Sequence, residues 1–217
     1  MTASGKVKTA VLISGSGTNL QSLIDAAQEN EFPADIALVI SNKATAFGLE
    51  RARQAGIETA TISHKEFDSR KAFDQEMHKA LEAANIDFVC LAGFMRILTE
   101  EFVAKWTGRM LNIHPSLLPS FRGHNAHEQV LSSSVAFSGC TVHAVTAELD
   151  GGPIVGQAVV PRYANDTEET LSARVRTAEH QLYPQAISMF LRDDNKPVPE
   201  SASALLNFNP SVRFKSC

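Results

Sequence analysis

Cysteine is scarce in this chain, and no apolar run in it is long enough to cross a membrane. The three cysteines, Cys90, Cys140 and Cys217, lie far apart and form no C-x-x-C pair. Cys90 and Cys140 occupy apolar or β-like runs, so we expect buried thiols in a reducing compartment. The first eight residues lack the apolar core of a signal peptide. We therefore expect a cytoplasmic protein that does not associate with membranes.

An excess of positive charge is also missing. The 217 residues include 20 Lys and Arg against 24 Asp and Glu, for a net charge of -4. This balance argues against a broad basic surface for nucleic acid. It leaves room for a local phosphate pocket, because such pockets use backbone N–H groups and one or two cations. With 44% hydrophobic residues and no internal repeat, the composition is that of a single globular domain.

Short apolar runs alternate with amphipathic stretches through the first half of the chain. The apolar runs predict strands at 9–14, 36–41, 57–62, 88–92 and 110–113. Helical spacing between them predicts helices at 18–29, 46–54 and 65–84. This alternation predicts an α/β fold, namely an open, twisted, mostly parallel sheet flanked by helices with right-handed crossovers.

The pattern changes after residue 133. Two strand-like runs at 139–149 and 154–160 are separated by Asp-Gly-Gly-Pro, which is a strong turn signal. They predict an antiparallel addition to the sheet. A long helix is predicted at 167–191, with Thr167 as its cap. Residues 193–217 show weak periodicity and are predicted to form a loosely packed tail.

The most informative segment reads Leu-Asn-Ile-His-Pro-Ser-Leu-Leu-Pro at 111–119. Residues two apart in a strand point to the same face, so Asn112 and His114 are predicted to project together from a strand end. An amide that can donate to an oxyanion then lies beside an imidazole that can carry a proton, as acyl transfer requires. The alternative is a capped strand end with a surface histidine.

The segment Ser-Gly-Ser-Gly-Thr-Asn at 14–19 joins the first predicted strand to the first predicted helix. At this edge of a parallel sheet, glycines let an anion approach the backbone and the helix terminus offers free N–H groups. The segment matches neither the dinucleotide fingerprint nor a Walker loop, so a phosphate monoester is the simplest ligand. A plain glycine-rich turn is the alternative.

Several other polar residues are weaker candidates. Asp150 either serves the turn alone or meets His114, orients its ring and favours its protonated form. Arg70, Arg109 and Arg176 are candidate anion binders. A metal site is not expected, because the spacing of the available ligands matches no zinc signature and His143 is better explained as structural. These ligands are His124, His127, Glu128 and His143.

Six segments, taken in order, resemble phosphoribosylglycinamide formyltransferase, the folate-dependent enzyme of purine biosynthesis. They cover most of the chain between about residue 8 and residue 192, and several are long. They read Gly-Ser-Gly-Thr-Asn-Leu-Gln at 15–21, Ser-Asn-Lys-Ala at 41–44, Ala-Gly-Phe-Met-Arg-Ile-Leu at 92–98, the 111–119 segment, Glu-Leu-Asp-Gly-Gly-Pro at 148–153 and Ala-Glu-His-Gln-Leu-Tyr-Pro at 178–184.

The resemblance implies a Rossmann-like formyltransferase domain over 1–192, with a phosphate-binding half at about 1–100 and a folate and catalytic half at about 90–192. It implies transfer of a formyl group from 10-formyltetrahydrofolate to the glycinamide amine of a phosphoribosyl substrate. The formyl donor is then a co-substrate, no metal takes part, and the protein is a monomer or a homodimer.

The same resemblance assigns three groups of site residues. The catalytic group is Asn112, His114 and Asp150. The group that binds phosphate and phosphoribosylglycinamide is Gly17, Thr18, Asn19, Arg176, Thr177, Ala178 and Glu179. The folate group is Arg70, Met95, Arg96, Ile97, Leu98, Asn112, Thr146, Ala147, Glu148, Leu149 and Asp150.

Three other functions share parts of this pattern. Methionyl-tRNA formyltransferase has a similar core but carries an added carboxy-terminal domain, for which the last 25 residues are too few. Formyltetrahydrofolate deformylase usually has an amino-terminal regulatory domain, whereas the first strand here starts almost at once. A non-catalytic phosphosugar- or folate-binding module is the third, and the joint presence of Asn112, His114 and Asp150 speaks against it.

Overall fold

The computed structural model describes residues 5–192 and the strand Leu206–Phe208. The strands are β1 Val7–Ile13, β2 Ala34–Ser41, β3 Glu58–Thr61, β4 Phe88–Leu91, β5 Met110–His114, β6 Phe137–Ala144, β7 Ile154–Pro161 and β8 Leu206–Phe208. The α-helices are α1 Thr18–Ala27, α2 Phe47–Gln54, α3 Arg70–Ala83, α4 Glu100–Lys105, α5 Ala126–Leu131 and α6 Glu168–Leu191. Among these helices, none is both long enough and apolar enough to cross a bilayer.

All eight strands belong to one sheet, in the order β3-β2-β1-β4-β5-β6-β7-β8. The first five strands pair in parallel, and β6, β7 and β8 add antiparallel pairs. The predicted α/β class and the antiparallel addition are therefore confirmed. The chain reverses its direction of travel across the sheet between β1 and β4, and open α/β sheets bind ligands at the carboxyl ends of strands at such a point.

Helices cover both faces of the sheet. One buried cluster is formed with side chains of α1, α2, α5 and α6, such as Leu23, Leu49 and Leu182. The opposite cluster is formed with α3 and α4, such as Met77 and Phe102. The unbroken apolar character of β4, whose four residues are all buried, follows from this double cover. With both faces covered, the carboxyl edge of the parallel strands is where a ligand can reach the sheet.

The predicted helix at 65–84 is wrong in its first turn. A short 3-10 turn at His64–Glu66 precedes α3, and Phe67 between them is extended. Ser69 starts α3 because its hydroxyl accepts a hydrogen bond from the Ala72 N–H at 3.1 Å. As predicted, the Thr167 side chain caps α6, accepting from the Thr170 N–H.

The predicted strand at 139–149 is too long at its carboxyl end. β6 ends at Ala144; the Val145 N–H still donates to the Met110 carbonyl of β5 at 3.0 Å, and residues 146–149 leave the sheet. A Cβ on Gly152 would overlap the Ala144 carbonyl oxygen. The turn at Gly152 therefore approaches the end of β6 more closely than a residue with a side chain would allow. The predicted tail at 193–217 lies outside the described residues, apart from Leu206–Phe208, which pairs with β7.

Candidate active site

His114 and Asp150 lie side by side at the carboxyl edge of the sheet. The His114 Nδ1 atom is 3.4 Å from Asp150 Oδ2, and both side chains are less than one-tenth exposed. His114 Nε2 is 3.0 Å from the Phe121 carbonyl oxygen, which can only accept, so Nε2 carries a hydrogen. Both ring nitrogens thus face hydrogen-bond acceptors.

Asp150 is held in place by the backbone around it. Its own φ is +50°, a conformation that aspartate tolerates better than most residues. Its Oδ2 atom accepts a hydrogen bond from the Gly123 N–H at 2.8 Å. The sequence prediction that Asp150 meets His114 is therefore confirmed in position.

Asn112 contacts a residue that the sequence reasoning treated as structural. Its Nδ2 atom is 3.1 Å from His143 Nε2, while His143 Nδ1 is 3.1 Å from the Ala144 carbonyl oxygen. That carbonyl fixes the hydrogen on Nδ1, so Nε2 accepts from Asn112. Burial lowers the pKa of His143, which keeps the ring neutral and able to accept. One Asn112 N–H is thus occupied, and His143 sets the direction of the other.

The glycine loop begins α1 without a side-chain cap. Gly17 has φ +69°, and the first-turn N–H groups that follow it, at Thr18 and Asn19, lack helical partners. Arg51 braces the loop from α2, because its Nε–H donates to the Ser16 carbonyl at 2.9 Å and Nη1 donates to Gln21 at 3.1 Å. The sequence offered no signal for Arg51, since its partners are 30 or more residues away.

The loop is joined to α6 through Asn19 and Glu179. Asn19 Nδ2 donates to Glu179 Oε2 at 2.8 Å, and burial raises the pKa of this carboxyl. Within the described residues, the buried Asn19 Oδ1 has no hydrogen-bond partner. On the same helix, Arg176 is exposed and the Thr177 hydroxyl bonds back to the Ala173 carbonyl. The structure thus brings the predicted phosphate loop and the predicted amine-binding residues together.

A cleft of about 430 Å³ lies next to this junction. It is lined by Thr18, Gln21, Ser22, Asp25, Arg51 and His180. It shares the first residue of α1 with the glycine loop and does not include His114 or Asp150. The cleft therefore lies on the glycine-loop side of the edge.

Most of the predicted folate residues lie in two segments, 95–98 and 146–149, which follow the strands on either side of β5 with its Asn112 and His114. Segment 95–98 follows β4, whose Leu91 pairs with Asn112, and Met95 and Ile97 are 58% and 45% exposed. The turn at 146–149 precedes Asp150, and its Leu149 side chain is 51% exposed. Arg70 is the first residue of α3, and its charge acts together with that of Arg96 on the buried Asp74. Exposed apolar side chains flanking buried polar groups are typical of a binding site for a heterocycle.

Three polar connections within this edge were missed from the sequence. They are the Asn112–His143 contact, the Arg51 brace and a hydrogen bond from Ser14 Oγ to Asn42 Oδ1 at 2.7 Å. The available signal was that Ser14 and Asn42 each directly follow a strand, β1 and β2. Within the described ranges, no three His, Cys, Asp or Glu side chains are placed to hold a metal ion.

Comparisons with known proteins give consistent matches. Residues 7–187 match the family model described as formyl transferase. The chain is 53% identical over 180 residues to phosphoribosylglycinamide formyltransferase of Escherichia coli K12, covering 83% of this chain and 85% of that protein. It is 55% identical over 184 residues to the trifunctional purine biosynthetic protein adenosine-3 of Bos taurus, covering 85% of this chain but only 18% of that protein.

Solved structures agree with these matches. The crystal structure of glycinamide ribonucleotide transformylase 1 from Symbiobacterium toebii superposes with a TM-score of 0.84 at 47% identity, covering 86% of this chain and 88% of that one. Phosphoribosylglycinamide formyltransferase from Brucella melitensis gives a TM-score of 0.81 at 48% identity, with 85% and 95% covered. The likeness therefore extends over most of the chain.

Proposed function

The chain belongs to the formyl transferase family, and from this premise we propose that it transfers the formyl group of 10-formyltetrahydrofolate to the glycinamide amine of N1-(5-phosphoribosyl)glycinamide. The products are the N-formyl compound and tetrahydrofolate, in purine biosynthesis. The observation that carries this proposal is the buried contact of His114 with Asp150, with Asn112 two residues away on β5, at the sheet edge where a glycine loop follows β1 and an exposed apolar segment follows β4.

The two substrates are assigned to different segments of this edge. The N–H groups of Gly17, Thr18 and Asn19 bind the phosphate, and Arg176 to Glu179 face the glycinamide part. For the formyl donor, Met95 to Leu98 and Thr146 to Asp150 enclose the pterin, with Arg70 near the rest of the folate. Holding both substrates in a productive geometry can lower the barrier by roughly 7–11 kcal/mol.

The catalytic group stabilises the charges that form during transfer. Attack by the neutral amine on the formyl carbon places negative charge on oxygen and positive charge on nitrogen. The free Asn112 N–H donates to the oxyanion of the tetrahedral intermediate, and the His114 cation stabilises it by charge. Asp150 orients the His114 ring and, directly or through a water, removes the surplus proton from the amine. As the C=O bond forms again, this proton passes to the donor nitrogen, the bond between that nitrogen and the formyl carbon breaks, and tetrahydrofolate leaves.

The other expectations follow from the same proposal. No metal ion and no covalent enzyme intermediate take part in this route. Cys90 and Cys140 are buried free thiols, which fits a reducing compartment such as the cytoplasm. Whether the protein works as a monomer or a homodimer stays a prediction from resemblance.

Donor consumption tests the proposal. The purified protein is mixed with 10-formyltetrahydrofolate with and without the phosphoribosyl amine, and loss of the donor is followed by absorbance. We expect loss only when the amine is present. Loss without the amine would indicate a deformylase, and no loss under either condition would indicate a binding module; either result would refute the proposal.

A further inference from the structure

The segment Met95–Thr99, which we call the donor segment, is fixed at its two ends by buried side chains from distant parts of the chain. It lies between β4 and α4 and has no regular structure up to Thr99, which caps α4. Its Met95 and Ile97 side chains are among the most exposed large apolar groups of the described residues. Of its apolar side chains only Leu98 packs against the buried cluster, so the segment needs other contacts to hold one conformation.

Ser14 fixes the first end. The Met95 N–H donates to Ser14 Oγ at 2.8 Å, and the Ser14 hydroxyl donates its own hydrogen to Asn42 Oδ1 at 2.7 Å. Ser14 and Asn42 are 4% and 3% exposed, so water does not replace these bonds easily. Because the Ser14 hydroxyl hydrogen is donated to Asn42, the Ser14 oxygen is left to accept the hydrogen bond from the Met95 N–H.

Asp74 fixes the second end. This α3 residue is 2% exposed, and its Oδ2 atom accepts a hydrogen bond from the Thr99 N–H at 2.6 Å. Burial raises the pKa of Asp74, while the nearby charges of Arg70 and Arg96 act in the opposite direction. A carboxyl group is costly to bury, so its position under the donor segment needs a compensating role. The Thr99 contact supplies one.

The backbone between the two ends is left with free donors. Across the described chain, no hydrogen bond uses the N–H of Arg96, Ile97 or Leu98. We propose that Ser14 and Asp74 are positioning residues, which fix Met95 and Thr99 so that these three N–H groups are held ready for the pterin of the formyl donor. The inference rests on the proposed function, because it takes the donor segment as part of the folate site.

Affinity for each substrate separates positioning from general damage. Ser14→Ala and Asp74→Ala each remove one acceptor, and we expect the Kd of 10-formyltetrahydrofolate to rise about tenfold or more. Asp74→Asn keeps a carbonyl acceptor for the Thr99 N–H and should restore most of that affinity. The Kd of the phosphoribosyl substrate should change much less than that of the donor. In turnover, KM for the donor should rise more than kcat falls.

Ser138→Ala is a matched control for the serine change. Ser138 is 1% exposed, and its hydroxyl has no hydrogen-bond partner within the described residues. The variant removes the same buried hydroxyl but no hydrogen bond, so donor affinity should stay at the wild-type value. Equal loss of affinity for both substrates in Ser14→Ala and Asp74→Ala, or an unchanged donor Kd, would overturn the proposal.

Amide hydrogen exchange of the ligand-free protein tests the two anchoring hydrogen bonds without using either substrate, so its result does not depend on the proposed function. We expect faster exchange at Met95 in Ser14→Ala and at Thr99 in Asp74→Ala, with Asp74→Asn close to wild type. Unchanged exchange at both amides would overturn the anchoring. Failure of the proposed function would show differently, as a wild-type protein that does not bind the formyl donor.

Discussion

Replacing Gly17 with alanine should damage the phosphate loop for two separate reasons. Gly17 has φ +69°, where an L-residue is strained, and a Cβ at this position would lie 2.5 Å from the Gly48 Cα. Carbon atoms normally approach to about 3.5–4.0 Å, so the loop and α2 must separate by roughly 1 Å. The change therefore moves the N–H groups that we assign to the substrate phosphate.

The expected magnitude follows from these two contributions. The left-handed conformation costs about 1–2 kcal/mol for a residue with a Cβ. Relief of the contact with Gly48 adds about 1–3 kcal/mol, the usual cost of overpacking. The free energy of unfolding should thus fall by about 2–5 kcal/mol, less than the stability of a typical domain. A displacement near 1 Å should also lower kcat/KM for the phosphoribosyl substrate roughly a hundredfold.

Gly56 and Gly15 provide controls that separate the strained backbone conformation at Gly17 from its contact with Gly48. Gly56 has φ +72°, but a Cβ added there would meet no atom within 4 Å, so Gly56→Ala measures the conformational strain alone. Gly15 also has nothing within 4 Å and lacks a positive φ, so Gly15→Ala should be nearly neutral for stability. Chemical denaturation gives the free energies, and titration with each substrate gives the affinities.

The Gly17→Ala titrations should show a much larger loss for the phosphoribosyl substrate than for the formyl donor. Equal losses for both substrates would mean that the damage is global. Unchanged phosphoribosyl affinity in a folded Gly17→Ala protein would refute the assignment of the phosphate to this loop.

Three further substitutions test other parts of the site and the fold. Asp150→Asn should lower kcat at least tenfold with little change in either KM, because the carboxylate acts mainly on the charges that form in the transition state; steady-state kinetics checks this, and a pure KM effect would contradict it. Glu179→Gln should raise the free energy of unfolding at neutral pH. Burial raises the pKa of the Glu179 carboxyl above its unfolded value of 4.5, so the wild type loses stability as pH rises from the unfolded pKa through the folded one, whereas the glutamine variant does not. Denaturation across pH should show the gain vanishing below about pH 4; a gain that persists there would refute this origin. Tyr183→Phe removes a buried hydroxyl that donates to two strand carbonyls at 3.0 and 3.2 Å, so unfolding free energy should fall by about 1–3 kcal/mol; a neutral change would contradict it.

The order of strands and helices could be predicted because the apolar pattern reports burial directly. The parallel strands are covered on both faces and therefore read as apolar runs, as at 88–92. The six-residue helices Glu100–Lys105 and Ala126–Leu131 were missed because they are too short for a period of 3.6 residues to show. The end of β6 was misplaced because residues 145–149 continue the alternation of apolar and polar residues beyond Ala144, where the strand ends.

The site was predictable where its residues are close in the sequence. Asn112 and His114 lie two apart in one strand, so their shared face follows from strand geometry. The hydrogen bonds that hold the site join residues far apart, such as Ser14 with Met95, 81 positions away. No local pattern encodes such a pair, because the contact exists only once the sheet has formed.

Transfer of a labelled formyl carbon tests the central claim most directly. The protein is given 10-formyltetrahydrofolate labelled with carbon-13 in the formyl group, together with the phosphoribosyl amine, and the products are resolved by NMR and mass spectrometry. We predict that the label appears in the N-formyl amide of the phosphoribosyl product, and that Asn112→Ala and His114→Ala slow this transfer about a hundredfold or more. Label recovered as free formate, or remaining on the folate, would contradict formyl transfer by this protein.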